Sequence, residues 1–303
     1  MADTTERSFR RNGLLESYVT RKRSCVVRRG AVEKVLLLDK TNKGNSLAAY
    51  STEYTEDGRI FRLLDEFNRY QDPGMPIPEA ITKLTGITDD MVKDHQINVE
   101  EVDSYLNDVD IIITHNAQFD RAFFEITFPT ITPKPWGCSM YDIDWKNEGI
   151  SSHKLEYIAY RYNFFFEGHR AITDCLAGIH ILAQDLIISQ QPVLKQLLES
   201  ALAIRFRLWA TNAPYDSKDL LKTRGYRWSM NQNDKQRAWS IELKEDQIEE
   251  EINYLRSEIY NSSINIPIEV FDAYSRFSNH YGNSQNGEKY QDKIEMVKML
   301  CLK

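Results

Sequence analysis

The sequence predicts an α/β chain in which a mixed β-sheet flanked by helices is followed by a small α+β module. Three observations carry this. Three strand-like stretches crowd between Glu33 and Phe67; helix-like and strand-like stretches then alternate to about residue 190; and the composition changes at Gln190-Gln191-Pro192, after which a second set of short strands begins. Closely spaced strands point to an antiparallel meander, and the later alternation points to helices packed on the faces of the same sheet. The predicted organisation is a basic N-terminal arm over 1–30, a main domain over 31–190, an accessory module over 200–262 and a tail over 263–303.

Glu33 to Asp39 reads as a buried strand, a short apolar run closed by polar turn formers. Ser46 to Thr55 and Arg59 to Phe67 follow as strands, separated by the turn Glu56-Asp57-Gly58. Three prolines between Asp72 and Pro78 forbid a regular helix or central strand there. Glu79 to Leu84 then reads as a helix ending at Gly86, and Thr88 as the N-cap of the next, whose apolar face begins at Met91. A strand over Asp110–Thr114, a helix from Asp120, the short run Trp136-Gly137-Cys138-Ser139, and helices over His153–Tyr162 and Ala171–Ile188 complete the main domain.

In the C-terminal part, Ile204 to Trp209 alternates like a strand, Ser217 to Thr223 reads as a short helix, and Arg224 to Trp228 enters a second strand. A polar loop over Asn231–Asp234 leads to a third strand over Arg237–Ile241. Glu245 to Tyr260 reads as a helix with Ile248, Ile252, Leu255 and Ile259 on one stripe, and Asn279 to Lys289 as a polar loop.

The balance of 42% apolar and 27% charged residues is that of a globular chain rather than a disordered one. No window approaches the roughly 18 uninterrupted apolar residues of a membrane span, and the N-terminus lacks the apolar core of a secretory signal, so a cytoplasmic location is expected. Cys25, Cys138, Cys175 and Cys301 show no metal-binding spacing and are expected as isolated thiols, with Cys175 packed behind the site. The net charge of −7 is unevenly spread. Residues 1–29 hold eight basic and three acidic residues, +5 against −12 for the remainder, so the arm either touches phosphates or is a solvated tail.

Two segments concentrate chemistry-bearing residues. H-N-A-Q-F-D (115–120) follows the apolar run Ile111-Ile112-Ile113, and G-H-R-A-I-T-D (168–174) places a histidine five residues before an acid. These resemble motifs II and III of the DEDDh exonucleases, and the prolines through Pro78 followed by Thr85-Gly86-Ile87-Thr88 are a further point of likeness. The resemblance covers roughly residues 30–190 and implies a ribonuclease-H-like fold similar to proofreading-subunit domains. It also implies 3′-to-5′ trimming of nucleic acid by metal-dependent phosphodiester hydrolysis, with Mg²⁺ or Mn²⁺ at a two-ion site. The implied partners are nucleic acid with a free 3′ end and a polymerase or other replication or repair protein, with no membrane. Motif I of the family reads D-x-E-T-T-G at a strand end. Here Val35 to Asp39 is followed by Lys40-Thr41-Asn42-Lys43-Gly44, so Asp39 supplies the first acid and Thr41 stands in the glutamate slot.

The chemistry accounts for these residue types. Hydrolysis brings an anionic nucleophile against an anionic phosphate, and two divalent ions about 4 Å apart make that feasible. Hard ions take oxygen ligands, hence carboxylates. By the resemblance, Asp39, Asp120 and Asp174 hold metal, His169 is the general base, and Asn116 and Phe119 contact the terminal nucleotide. Imidazole titrates near neutrality and suits a base for water. Each has a plainer alternative: a turn residue for Asp39, a helix N-cap for Asp120, a surface residue for His169, a turn former and core filler for Asn116 and Phe119. Glu53 and Glu56 are the nearest upstream acids that could stand in for the missing glutamate.

The incomplete motif I implies weakened metal binding and opens two rival readings. One is a pseudo-nuclease that binds strand ends or a protein partner without cutting. The other is a chain that has lost part of motif I from an active parent. In the C-terminal part, the spacing of Lys218, Lys222, Gly225, Arg227, Trp228 and Trp239 resembles a small module appended to nucleic-acid-processing proteins. Its Trp209, Tyr226, Trp228 and Trp239 either form its core or offer stacking faces to single-stranded nucleic acid.

Overall fold

The computed structural model describes residues 46–230, 237–261 and 266–278, the backbone of residues 33–40, and residues 292, 293 and 295. The basic arm, Thr41, the Asn231–Asp234 loop, the Asn279–Lys289 stretch, Cys25 and Cys301 lie outside the described residues. The chain forms two compact units, residues 1–201 and 202–303.

In the first unit, β1 (Glu33–Lys40), β2 (Ser46–Tyr54) and β3 (Ile60–Tyr70) make the expected antiparallel meander. β4 (Ile111–Thr114) and β5 (Trp136–Cys138) then add in parallel on the far side of β1, giving the order β3-β2-β1-β4-β5. This mixed sheet with helices on its faces is ribonuclease-H-like, as the motifs imply. All four residues of β4 are buried, which is why Ile111-Ile112-Ile113 reads as a continuous apolar run; all nine of β2 are buried as well, Ser46, Ser51, Thr52 and Glu53 included.

Three short helices follow the proline segment: α1 (Glu79–Thr85), α2 (Asp89–Val92) and α3 (Val99–Leu106). Thr88 does occupy the N-cap position of α2, with extended backbone, yet its side chain makes no capping bond. Instead Asp89 reaches back to accept the N–H of Ile77 at 2.7 Å, tying the proline segment to the helix start. The later helices are α4 (Ala117–Thr127), α5 (Leu155–Arg161), α6 (Ala171–Leu182) and α7 (Val193–Ala201).

Several boundaries differ from the sequence expectation. α4 starts at Ala117, three residues before Asp120, because Asn116 takes a left-handed conformation that turns the chain directly into the helix. α6 stops at Leu182 rather than Ile188: the following residues fold into a bend in which the Glu148 carboxylate accepts the N–H groups of Ile188 and Ser189. α7 was not anticipated and belongs to the first unit, carrying it past residue 190. Its Val193, Leu194, Leu197 and Ala201 are fully buried. A Cβ on Gly137 would lie 3.0 Å from a Leu197 methyl, so α7 lies directly on β5. Gly58, at φ +76, allows the β2–β3 turn to press on the Lys195 backbone, where any Cβ would fall at 2.6 Å.

The second unit is a four-stranded antiparallel sheet of order β7-β8-β6-β9, from β6 (Arg205–Ala210), β7 (Arg227–Met230), β8 (Arg237–Leu243) and β9 (Ile268–Phe271). β9 lies beyond residue 262, so the sheet draws on the segment read as a tail. Gly225, left-handed at φ 103, ends α8 (Lys218–Arg224) and launches β7. The expected stripe Ile248, Ile252, Leu255 and Ile259 is buried against Phe206 and Leu208. It runs along α9 (Ile248–Tyr254) and the wider helical turns of Leu255–Tyr260.

Candidate active site at the carboxyl end of the central strands

β1 and β4 run parallel with Leu37 opposite Ile113, so their carboxyl ends lie side by side. In open α/β sheets this is where ligands bind, because the connections that leave the strands converge there. Asp39 is the next-to-last residue of β1, opposite Ala48 of β2; its side chain lies outside what the structure describes.

Asp120 reaches this end through the turn after β4. Asn116, at φ 98 and ψ 55, carries the chain from strand to helix within three residues, and its carbonyl accepts the N–H of Phe119 at 2.9 Å. Asp120 is therefore in the first turn of α4 and is buried; the capping position belongs to Asn116. Phe119 stands at the surface, a third exposed, with its ring 4.8 Å from that of Phe123. Arg121, next to Asp120, is almost fully buried, pairs with Glu125 at 2.7 Å and lies over the Trp136 ring.

Asp174 arrives from the opposite side. α6 packs on β1 and β2, and Cys175 donates its thiol to the Ala48 carbonyl at 3.5 Å. Ala48 is the cross-strand neighbour of Asp39, so the first turn of α6, which carries Asp174, covers the same strand end. His169 sits on the bend before α6, exposed, in a left-handed conformation at φ 74. Such a conformation is uncommon outside glycine.

The two sequence signatures are physically joined. Arg170 donates from Nε to the Thr85 carbonyl at 3.0 Å, and a Cβ on Gly86 would fall 2.8 Å from its guanidinium. The T-G-I-T turn is thus a docking ledge for the residue beside His169.

Three contributors escaped the sequence reading. His115 hydrogen-bonds Ser139 Oγ through Nδ1 at 2.9 Å and the His153 carbonyl through Nε2 at 2.7 Å. A carbonyl only accepts, so Nε2 carries the proton and Nδ1 accepts from Ser139. Burial holds this imidazole down at about 4, against the opposing pull of the His153 carbonyl and the Glu156 charge. Asp142 accepts the Cys138 N–H at 2.8 Å and so ends β5. Glu156, in the first turn of α5, places Oε1 within 3.3 Å of the point where a Gly168 Cβ would lie, and Asp174 Oδ1 is 3.6 Å from that point. The signal for His115 was its place in H-N-A-Q-F-D; its partners, 24 and 38 residues downstream, were not visible in any local window.

Glu53 and Glu56 do not fill the place of the missing glutamate. Glu53 pairs with Lys34 in the strand register, five residues along β1 from Asp39, which is roughly 17 Å at the usual strand rise. It also forms an ion pair with Arg62 at 2.5 Å. Glu56 lies in the turn beyond β2, at that same far end. Glu53→Gln and Glu56→Gln should therefore leave strand cleavage by the folded protein within about twofold, since both lie at the far end of the sheet from Asp39. A loss above tenfold in a nuclease assay would place one of them in the site after all.

Asp120 and Asp174 offer the all-oxygen donors that a hard divalent ion takes. Among the described residues no group of three or more His, Cys, Asp or Glu is arranged to hold a metal ion. The Asp39 carboxylate, the third member expected, lies outside them. Among the same residues no helix is long and apolar enough to cross a membrane.

Residues 36–182 match the family model described as Exonuclease. Curated relatives include DNA polymerase III PolC-type of Halalkalibacterium halodurans, 31% identical over 135 residues, covering 40% of this chain and 9% of that protein. The same polymerase of Bacillus subtilis is 28% identical over 138 residues, covering 41% and 9%. The chain thus spans about a tenth of the length of these relatives. Similar solved structures include exonuclease X in complex with 5′ overhanging duplex DNA, at TM-score 0.36 and 19% identity, covering 53% of this chain and 99% of that one. Exonuclease I is another, at TM-score 0.46 and 14% identity, covering 88% and 70%. Residues 36–182 thus match the exonuclease family, and their motifs are similar to those of its DEDDh type.

Proposed function

We propose that this domain removes nucleotides from the 3′ end of a nucleic acid strand by hydrolysis. What supports the reading is that β1 and β4 end side by side, with Asp120 in the first turn of α4 after β4, and Asp174 in the first turn of α6 beside Cys175, which bonds to the Ala48 carbonyl opposite Asp39. Asp39, Asp120 and Asp174 are the residues that would hold Mg²⁺ or Mn²⁺, which when bound neutralise phosphate charge and make water a stronger nucleophile. His169 accepts the proton of the attacking water as its oxygen bonds to phosphorus. The bond to the 3′-oxygen of the preceding nucleotide breaks, that oxygen is protonated, and a nucleoside 5′-monophosphate leaves. Asn116 and Phe119, at the start of α4, meet the terminal sugar and base, the phenyl ring through its exposed face.

The curated relatives are DNA polymerases by name, which supports a polymerase or another replication or repair protein as partner, and a cytoplasmic setting. The test is release of mononucleotide from a 3′-labelled single strand with Mn²⁺ or Mg²⁺. Absence of release with either ion, or release that chelation leaves untouched, would count against the reading.

One feature favours the pseudo-nuclease instead: Thr41 stands where motif I carries glutamate. Losing a carboxylate removes a bond to the ion and a compensating charge. Grafting the D-x-E-T-T-G loop in place of residues 39–44 should tighten Mg²⁺ binding on the order of tenfold, read by calorimetry. Equal affinity would mean that another acid already completes the set.

A further inference from the structure

The second unit separates its aromatic residues into two groups. Trp209 and Tyr226 are buried, and the Tyr226 hydroxyl donates to Glu251 at 2.9 Å. Trp228 is more than half exposed. It stands on β7, the edge strand of the sheet, directly opposite Trp239, and the two indoles meet edge to face with centroids 5.4 Å apart. Two residues along, on the same face, Met230 is opposite Arg237 and both are exposed. Arg227, also exposed, begins the strand.

An indole left in water at the rim of a well-packed sheet forgoes burial worth a few kcal/mol. Phe206, Leu208 and Leu243 are buried with the helix stripe, and Trp228 stands outside that buried set, at the edge strand. Among the described residues neither Arg227 nor Arg237 forms an ion pair, whereas Arg207 and Arg224 are each held between two glutamates. Glu242, the β8 acid, is engaged by Arg207 on the opposite face. Among the described residues the patch therefore joins an aromatic face to the charge of Arg237, which forms no ion pair with any of them.

We infer that Trp228, braced by Trp239 and with Arg237 on the same face, is a stacking platform for a base of single-stranded nucleic acid, Arg237 meeting its phosphates. Stacking on an aromatic ring is tolerant of sequence, and the phosphate contacts make binding depend on salt. This rests on the nucleic-acid reading proposed above, and it assigns to the second unit the holding of the strand rather than its cleavage.

The test measures binding of the full chain to a fluorescein-labelled oligothymidine in chelator, by anisotropy over a range of salt. Trp228→Ala should weaken binding about tenfold and Trp228→Phe should restore most of it. Arg237→Ala should lower the slope of log affinity against log salt by about 0.7. Trp228→Ala binding like the unmodified chain, or no oligonucleotide binding by either, overturns the inference. Hydrolysis of the p-nitrophenyl ester of thymidine 5′-monophosphate, which occupies one nucleotide only, reads the catalytic proposal separately. Hydrolysis with an unaffected Trp228→Ala variant leaves that proposal standing and removes this one. Weakened strand binding without hydrolysis does the reverse.

Discussion

His169→Ala should remove 3′-to-5′ cleavage by a factor of about 10² to 10⁴ while changing strand affinity by less than about threefold. A general base acts on the proton that moves in the transition state, and a histidine exposed on a bend contributes little to the bound ground state. Asp174→Asn should produce a comparable loss for another reason: it keeps the volume of the side chain but removes the charge that would hold an ion. The measurement is single-turnover release of 3′-terminal mononucleotide, with affinity taken separately in chelator. Cleavage that survives in both variants would reject the site and point to another active centre. No cleavage in the unmodified protein, with end binding intact in both variants, is the result expected of a pseudo-nuclease.

The second large effect concerns acid. The folded state holds His115 at about 4, below the 6.5 of an unperturbed histidine, because burial of its ring penalises the charged form more than the His153 carbonyl and the Glu156 charge favour it. Between those values the unfolded chain binds the proton and the folded chain does not. The stability is therefore whole above pH 6.5, falls as pH drops through the window, and levels off below pH 4, with a total cost on the order of 3 kcal/mol. Denaturant unfolding of the protein at pH 7 and at pH 5 should show this decline, and His115→Gln should flatten it. A profile of unchanged slope in that variant would mean that the acid sensitivity resides in other groups.

β4 was legible because burial on both faces leaves an apolar run, Ile111-Ile112-Ile113, and the helix stripe of the second unit because Ile248 to Ile259 repeats at helical spacing. The candidate residues were legible as motifs, since Asn116, Phe119 and Asp120 share one turn and His169 and Asp174 another. What could not be read is tertiary. α7 carries an ordinary amphipathic pattern, and only its seat on Gly137 makes it part of the first unit. β9 is four residues long and becomes a strand by pairing with β6, some sixty residues earlier. The far position of Glu53 follows from the register of β1 with β2, which proximity in sequence conceals. Glu156 entered the site by facing Gly168, a contact that requires α5 to be in place.

The seat of α7 on β5 also bears on how the chain is made. Synthesis delivers the five strands and the helices bearing Asp120 and Asp174 before it delivers residues 193–201. Until then the outer strand β5 has Gly137 uncovered, and the β2–β3 turn lacks the backbone that Gly58 was shaped to meet. A nascent chain emerging from the ribosome therefore carries every candidate catalytic residue well before it can close its own core, and domains generally fold as units. The closing piece lies past Leu182, the last residue matched to the exonuclease family. Closure of the core is thus postponed to a segment that carries none of the candidate catalytic residues.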